Sequence, residues 1–230
     1  MALKEREQKT YAIIIADGSI RLKADDNDPK AVTRTIELKD GTTMTKRERV
    51  YHELSGFIRS VEFKDGDYGK SVNVGVEDGG EIITLSLGLG SNFGEDFLKK
   101  LPNVKFSEEV IMRPYSFEDD KKKLRKGITI IQGLDKLTNF FGDPETKTNL
   151  HGYPEVPKPY NEMDSDDWKI YFMQARKFLQ AFTEANIIPT LDVEFDTTQA
   201  EPGVPAGMEE PTIEEEVGNT PFGPEETPAQ

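Results

Sequence analysis

Apolar and polar residues alternate most regularly between Ser71 and Leu89. In residues 71–77, Val72, Val74 and Val76 fall on one side of a strand, and Ser71, Asn73 and Gly75 on the other. After the turn Asp78-Gly79-Gly80, residues 81–89 alternate again, with Ile83, Leu85, Leu87 and Leu89 opposite Thr84, Ser86 and Gly88. Upstream, the apolar run 11–15 and residues 20–22 flank Asp17-Gly18, which predicts a hairpin. Residues 35–38 and 42–50 flank Asp40-Gly41 and predict a second one, and residues 57–64 read as a further strand. The period then changes. Phe93, Phe97 and Leu101 recur at helical spacing within residues 92–101, and Pro102 stops the helix. Residues 109–117 and 127–132 return to strand texture, separated by the basic run 121–126.

From residue 57 the order is therefore three strands, a short helix and two strands. That order predicts a mainly β chain built on a five-stranded Greek-key OB barrel, with the helix between strands 3 and 4 and the hairpins as an N-terminal extension. A parallel sheet needs a helix between most strands, and only one is present. Residues 142–160 read as loop, stiffened by Pro154, Pro157 and Pro159. Residues 164–186 form the strongest helical pattern. Asp164, Ser165, Asp166 and Asp167 mark its start, and Trp168, Phe172, Ala175, Leu179 and Phe182 predict one stripe buried on the barrel. The expected organisation is an OB domain with its extension over 1–150, a Pro-rich linker over 151–163, a C-terminal helix over 164–189 and an acidic tail over 190–230. Residues 197–230 have the composition of a disordered segment.

Charge changes the picture. The net charge of −14 is not spread evenly. Twelve of the 43 acids lie beyond Lys177, the last basic residue, which leaves 31 acids against 29 bases in residues 1–177, a net of −2. The body is nearly balanced, so a basic surface on it is compatible with an acidic whole. The absence of Cys excludes disulfides, thiol nucleophiles and Cys-held metals. No apolar run approaches the about 20 residues of a membrane span, and MALKEREQKT lacks the apolar region of a signal peptide. A cytoplasmic protein with no membrane partner is expected, in the host cytoplasm if the chain is phage-encoded.

Motifs for catalysis are weak. Gly69-Lys70-Ser71 ends like a phosphate-binding loop, but Lys64 stands where that motif needs Gly, and a strand follows instead of a helix. Gly88-Leu89-Gly90-Ser91-Asn92-Phe93 places Phe93 at the third glycine of a dinucleotide fingerprint. Asp65 and Asp67 suggest a calcium loop, but its twelfth position is Val76. His52 and His151 have no spaced partners. No catalytic residue, metal site or cofactor is expected, and the chain reads as a non-enzyme.

What remains is basic residues interleaved with aromatics. Lys46, Arg47 and Arg49 precede Tyr51; Arg59 and Phe63 share a predicted strand face with Phe57; and Lys64, Tyr68 and Lys70 surround the following turn. Arg113, Tyr115 and Phe117 alternate along one strand, and Lys121, Lys122, Lys123, Arg125 and Lys126 come next. Cations along phosphates and rings under bases are what single-stranded nucleic acid requires. Any single ring in this set serves equally as core. Ser71, Asn73, Thr84, Ser86 and Gly88 give the middle strands a floor of small residues.

The stretch SGFIRSVEFKDGDYGKSVNVGVEDGGEIITLSLGLGSNFGEDFLKKLPNV, followed by EEVIMRPYSFEDDKKKLRKGITIIQ, resembles bacteriophage OB-fold single-stranded DNA-binding proteins over residues 55–132. The resemblance implies a replication, recombination or repair protein that coats single-stranded DNA. The tail resembles those of bacterial and phage proteins of this type, which end in acids and Pro-Phe. Pro221 and Phe222 match that pair, although eight residues follow Phe222. This implies that replication or recombination partners bind the tail and that its acids modulate DNA binding. The alternative is an acidic protein-interaction module or DNA mimic, which the even charge of the body disfavours.

Overall fold

The computed structural model describes residues 10–37, 41–66 and 69–191. Tyr68, the tail and its Pro221-Phe222 pair lie outside them. The chain is mainly β, with ten strands: β1 (Thr10–Ile14), β2 (Ile20–Lys23), β3 (Val32–Glu37), β4 (Thr43–Tyr51), β5 (Leu54–Gly66), β6 (Gly69–Asp78), β7 (Glu81–Gly88), β8 (Val110–Glu118), β9 (Leu124–Gln132) and β10 (Asp135–Lys136). Helix α1 (Asn92–Lys100) follows β7, and α2 (Ser165–Asn186) closes the described fold. Both N-terminal hairpins form as antiparallel pairs. The basic run is not all loop, because β9 already starts at Leu124.

All strands join one mixed sheet in the order β10-β9-β8-β5-β6-β7-β1-β2-β4-β3. Strand β5 is the pivot. Its first residues pair with β8, Leu54 opposite Met112 and Gly56 opposite Val110, and the rest pairs with β6. A bulge between Ile58 and Ser60 shifts which side chains face inward. Ile58 and Val61 are buried, and Phe63 packs against the core. The expectation that Phe57, Arg59 and Phe63 share a face is therefore corrected.

A closed five-stranded barrel would pair β7 with β9, and this seam is not a ladder among the described residues. Both edges are otherwise engaged. β1 pairs in parallel with β7, Thr10 beside Ile83 through Ile13 beside Ser86. The β9 edge is paired with β10 at Ile131 and Gln132 and served by side chains of α1 at Ile128. Asp96 Oδ2 accepts from the Ile128 amide at 2.7 Å, and Lys100 Nζ donates to the Ile128 carbonyl at 2.6 Å. This i, i+4 pair of a helix stands in for a neighbouring strand. The sheet still curls, because Gly18, at the tip of β1–β2 with φ +86°, lies against the backbone of Tyr115 and Ser116 in β8.

The core is the inner face: Val72, Val74, Val76, Leu85, Leu87, Met112, Ile128 and Ile130, capped by Phe97, Leu98 and Leu101 of α1 and its exit. Ser91 caps α1, its hydroxyl accepting from the Gly94 amide at 3.1 Å. Helix α2 starts on a capping box between Asp164 and Asp167. Its buried line is Tyr171, Ala175, Leu179 and Thr183, whereas Phe172 is 37% exposed, so the stripe is turned from the expected one. Phe178 and Phe182 meet Phe141 edge-on, and Tyr153, also buried, joins this aromatic cluster. Among the described residues, no helix is long and apolar enough to cross a membrane.

Candidate nucleic-acid interface

The predicted residues separate into three groups. The largest lies on the β8–β9 hairpin. Register places Tyr115 opposite Gly127 and Phe117 opposite Arg125. The Tyr115 and Phe117 rings point outward, with centroids 5.7 Å apart. Phe117 is 55% exposed, and both rings line a shallow open concavity of about 680 Å³ with Asp119, Arg125 and Thr129. Gly127 is the floor. A Cβ there would strike the Tyr115 hydroxyl and Asp96 Oδ2, so only glycine lets the ring lie down and the carboxylate reach the β9 edge. Burial first, and then the Asp96 carboxylate, raise the Tyr115 phenol above its ordinary range and keep it protonated.

The hairpin turn is held from within. Asp119 Oδ1 accepts from the amides of Lys121 (3.0 Å) and Lys123 (2.8 Å), and Oδ2 accepts from Arg125 Nε at 2.9 Å. These bonds, the Lys123 amide foremost, hold the Asp119 carboxyl below its usual range. The turn spends Asp119 on its own backbone and projects Lys121, Lys122 and Lys123 into solvent. From Glu118 to Lys126 there are five cations against three carboxylates. Lys126 is half-buried. Arg113, further along the Tyr115 face, is bridged to Glu53 at 2.7 Å.

The second group sits on β5–β6. Arg59 pairs with Glu77 across the ladder and lies 4.8 Å from the Phe57 ring centroid. Lys64 pairs with Glu62 at 2.9 Å and Lys70 with Asp65 at 3.7 Å. Phe63 is a core contact, which removes it from the stacking set.

The third group, on β4, is mostly structural. Arg49 pairs with Asp28, and Arg47 Nη2 donates to the Asp28 carbonyl at 2.9 Å, so the two guanidiniums clamp the loop before β3. Tyr51 is 39% exposed on the same strand, opposite Ile20. Lys46 points to the other face, paired in register with Arg34. These residues sit near the far end of the sheet order from β8 and β9, and Asp28 holds two of the three cations.

One ring that sequence reasoning passed over is Tyr11. It is 47% exposed on the outer face of β1, beside Thr84 of β7. Its alternation with Ala12 was a usable signal, but only the parallel β1–β7 pairing brings it to the middle strands. Among the described residues, no cluster of three or more His, Asp or Glu side chains could hold a metal. Comparison of the chain with family models, with curated proteins and with solved structures returned no match.

Proposed function

We propose that the chain is a non-enzymatic single-stranded DNA-binding protein of DNA replication, recombination or repair, and that the β8–β9 hairpin is its main contact. The observation that carries this is the adjacent Tyr115–Phe117 pair, facing outward beside Arg125 and ahead of three exposed lysines. Two rings at that spacing offer π-faces to consecutive bases, at about 1–3 kcal/mol per stacked base, while the lysines meet phosphates. The strand order β9-β8-β5-β6-β7, with α1 between β7 and β8, supports an OB-type barrel left open at the β7–β9 seam. On that reading the β8–β9 turn is the loop between the last two strands, one of the places where this fold binds oligonucleotides. The nearly neutral body favours this over an acidic DNA mimic. The tail, with Phe222 as an anchor for replication partners, completes the proposal.

Titration of single- and double-stranded oligonucleotides at two salt concentrations tests it. Single strands are expected to bind far more tightly, with affinity falling steeply in salt. Replacing Tyr115 and Phe117 together by Ala should weaken binding at least tenfold with an unchanged salt slope. Replacing Lys121, Lys122 and Lys123 by Ser should flatten that slope. Equal binding of duplex and single strand removes the proposal.

A further inference from the structure

A second concave site lies on the outer face where β5, β6, β7 and β1 run side by side. In one row across the strands, Asn73 stands between Glu62 and Ser86. In the next, Gly75 stands between Ser60 and Thr84, and Tyr11 of β1 flanks Thr84. These rows border a cavity of about 550 Å³, with Lys64 at its rim and Ile82 on its wall. Gly75 offers no side chain, and the Ser60 hydroxyl occupies the space its Cβ would need. Asn73 is the anomaly. It is 6% exposed, and its Oδ1 is shut off from water with no hydrogen-bond partner. Buried amide oxygens in folded proteins are normally satisfied. Rotation of the amide by 180° would exchange oxygen and nitrogen, so it can present either a donor or an acceptor to the cavity.

We propose that this cavity receives one adenine of a bound strand, with the Tyr11 ring stacked on the base and the Asn73 amide paired to its edge. The inference rests on the single-strand reading above and adds a base preference to it. With Oδ1 shut off, the amide nitrogen is the group left to meet a base, and it can donate to the N7 acceptor of adenine. The cavity volume admits a purine, and Lys64, which lines the cavity with Tyr11 and is paired with Glu62, is the cation available to the adjoining phosphate. Tyr11 comes from β1, outside the five barrel-type strands, so the extension finishes the pocket.

The test uses the full chain and thymidine oligonucleotides carrying either adenines or 7-deaza-adenines, read by fluorescence anisotropy. Adenine should bind about tenfold more tightly than 7-deaza-adenine, which lacks the N7 acceptor. Asn73→Asp and Tyr11→Leu should erase that ratio while all-thymidine affinity, set by the hairpin, stays. Circular dichroism checks that both variants fold. A ratio of one in the intact chain, or a ratio that survives Asn73→Asp, overturns the inference and leaves the hairpin reading standing. If no oligonucleotide binds, adenosine monophosphate is titrated while the Asn73 side-chain amide is followed by NMR. A shift keeps the pocket without the strand reading, and no shift ends both.

Discussion

Gly127 shows how much one missing side chain can settle. The Tyr115 ring and Asp96 both converge on the space its Cβ would fill, one to face solvent and the other to satisfy the β9 edge. Gly127→Ala should destabilise the protein by about 1–3 kcal/mol, as overpacking does, and should lower single-strand affinity by displacing Tyr115. A shifted urea midpoint measured beside an oligonucleotide titration checks both; an unchanged midpoint contradicts the packing account. At this scale the sequence was only partly readable. Tyr115 and Phe117 were legible as a pair because i, i+2 spacing on a strand fixes a shared face. Phe63 was misjudged because a bulge two residues before Val61 reversed the parity. Arg47 and Arg49 look identical in sequence to groove cations, and only the fold discloses that Asp28 holds them.

Among the elements, the β3–β4 hairpin at the sheet's end depends on a buried carboxylate. Glu48 is 4% exposed and receives both Arg34 Nε and Nη2 at 2.8 Å. The Arg34 bonds, foremost, outweigh burial and hold its pKa below the usual glutamate range. Folded Glu48 thus takes up its proton at lower pH than unfolded Glu48. Its stabilisation is complete above the unfolded value and is lost as pH falls through that value and then the lower folded one. Glu48→Gln should therefore cost stability at neutral pH and shrink the acid-dependent loss. Urea midpoints from pH 7 down to pH 3 measure this, and parallel pH profiles for the two proteins would contradict it. Strands β6 and β7 were legible almost to the residue, since a sheet with one face on the core imposes strict alternation. The entry of β9 at Leu124 was not, because Arg125 and Lys126 lack the apolar partner that marks a strand. Closure of the barrel was beyond alternation altogether. The choice between β9 and β1 as the neighbour of β7 lies in edge hydrogen bonds, and on β9 these go to β10 and, at Ile128, to the Asp96–Lys100 pair.

For the whole molecule the governing quantity is the division of charge. Residues 197–230 hold eight acids and no base, attached to a body of net −2 over residues 1–177. The proposed competition of the tail for the hairpin lysines implies an effective concentration of its acids there of millimolar order. A protein ending at Asp196 should fold normally and bind single-stranded DNA more tightly, most clearly at low salt where charges are least screened. Phe222→Ala leaves every charge in place, so DNA affinity should hold while association with a replication partner weakens. Paired titrations of the three proteins at two salt concentrations measure this. Equal affinity of intact and truncated chains at both would remove tail competition.

The parallel pairing of β1 with β7 also has a consequence in time. Thr10 must wait for Ile83 to be synthesised before it has a neighbour on that edge. During translation the β1–β2 hairpin can form locally, but its docking is a long-range closure, slow by the standard of adjacent hairpins. Until then the outer edge of β7 is open to other strands, including those of a second nascent chain. Tyr11 travels with β1, so the ring that walls the outer cavity arrives only when that edge closes. The first described strand to leave the ribosome is thus among the last to find its place.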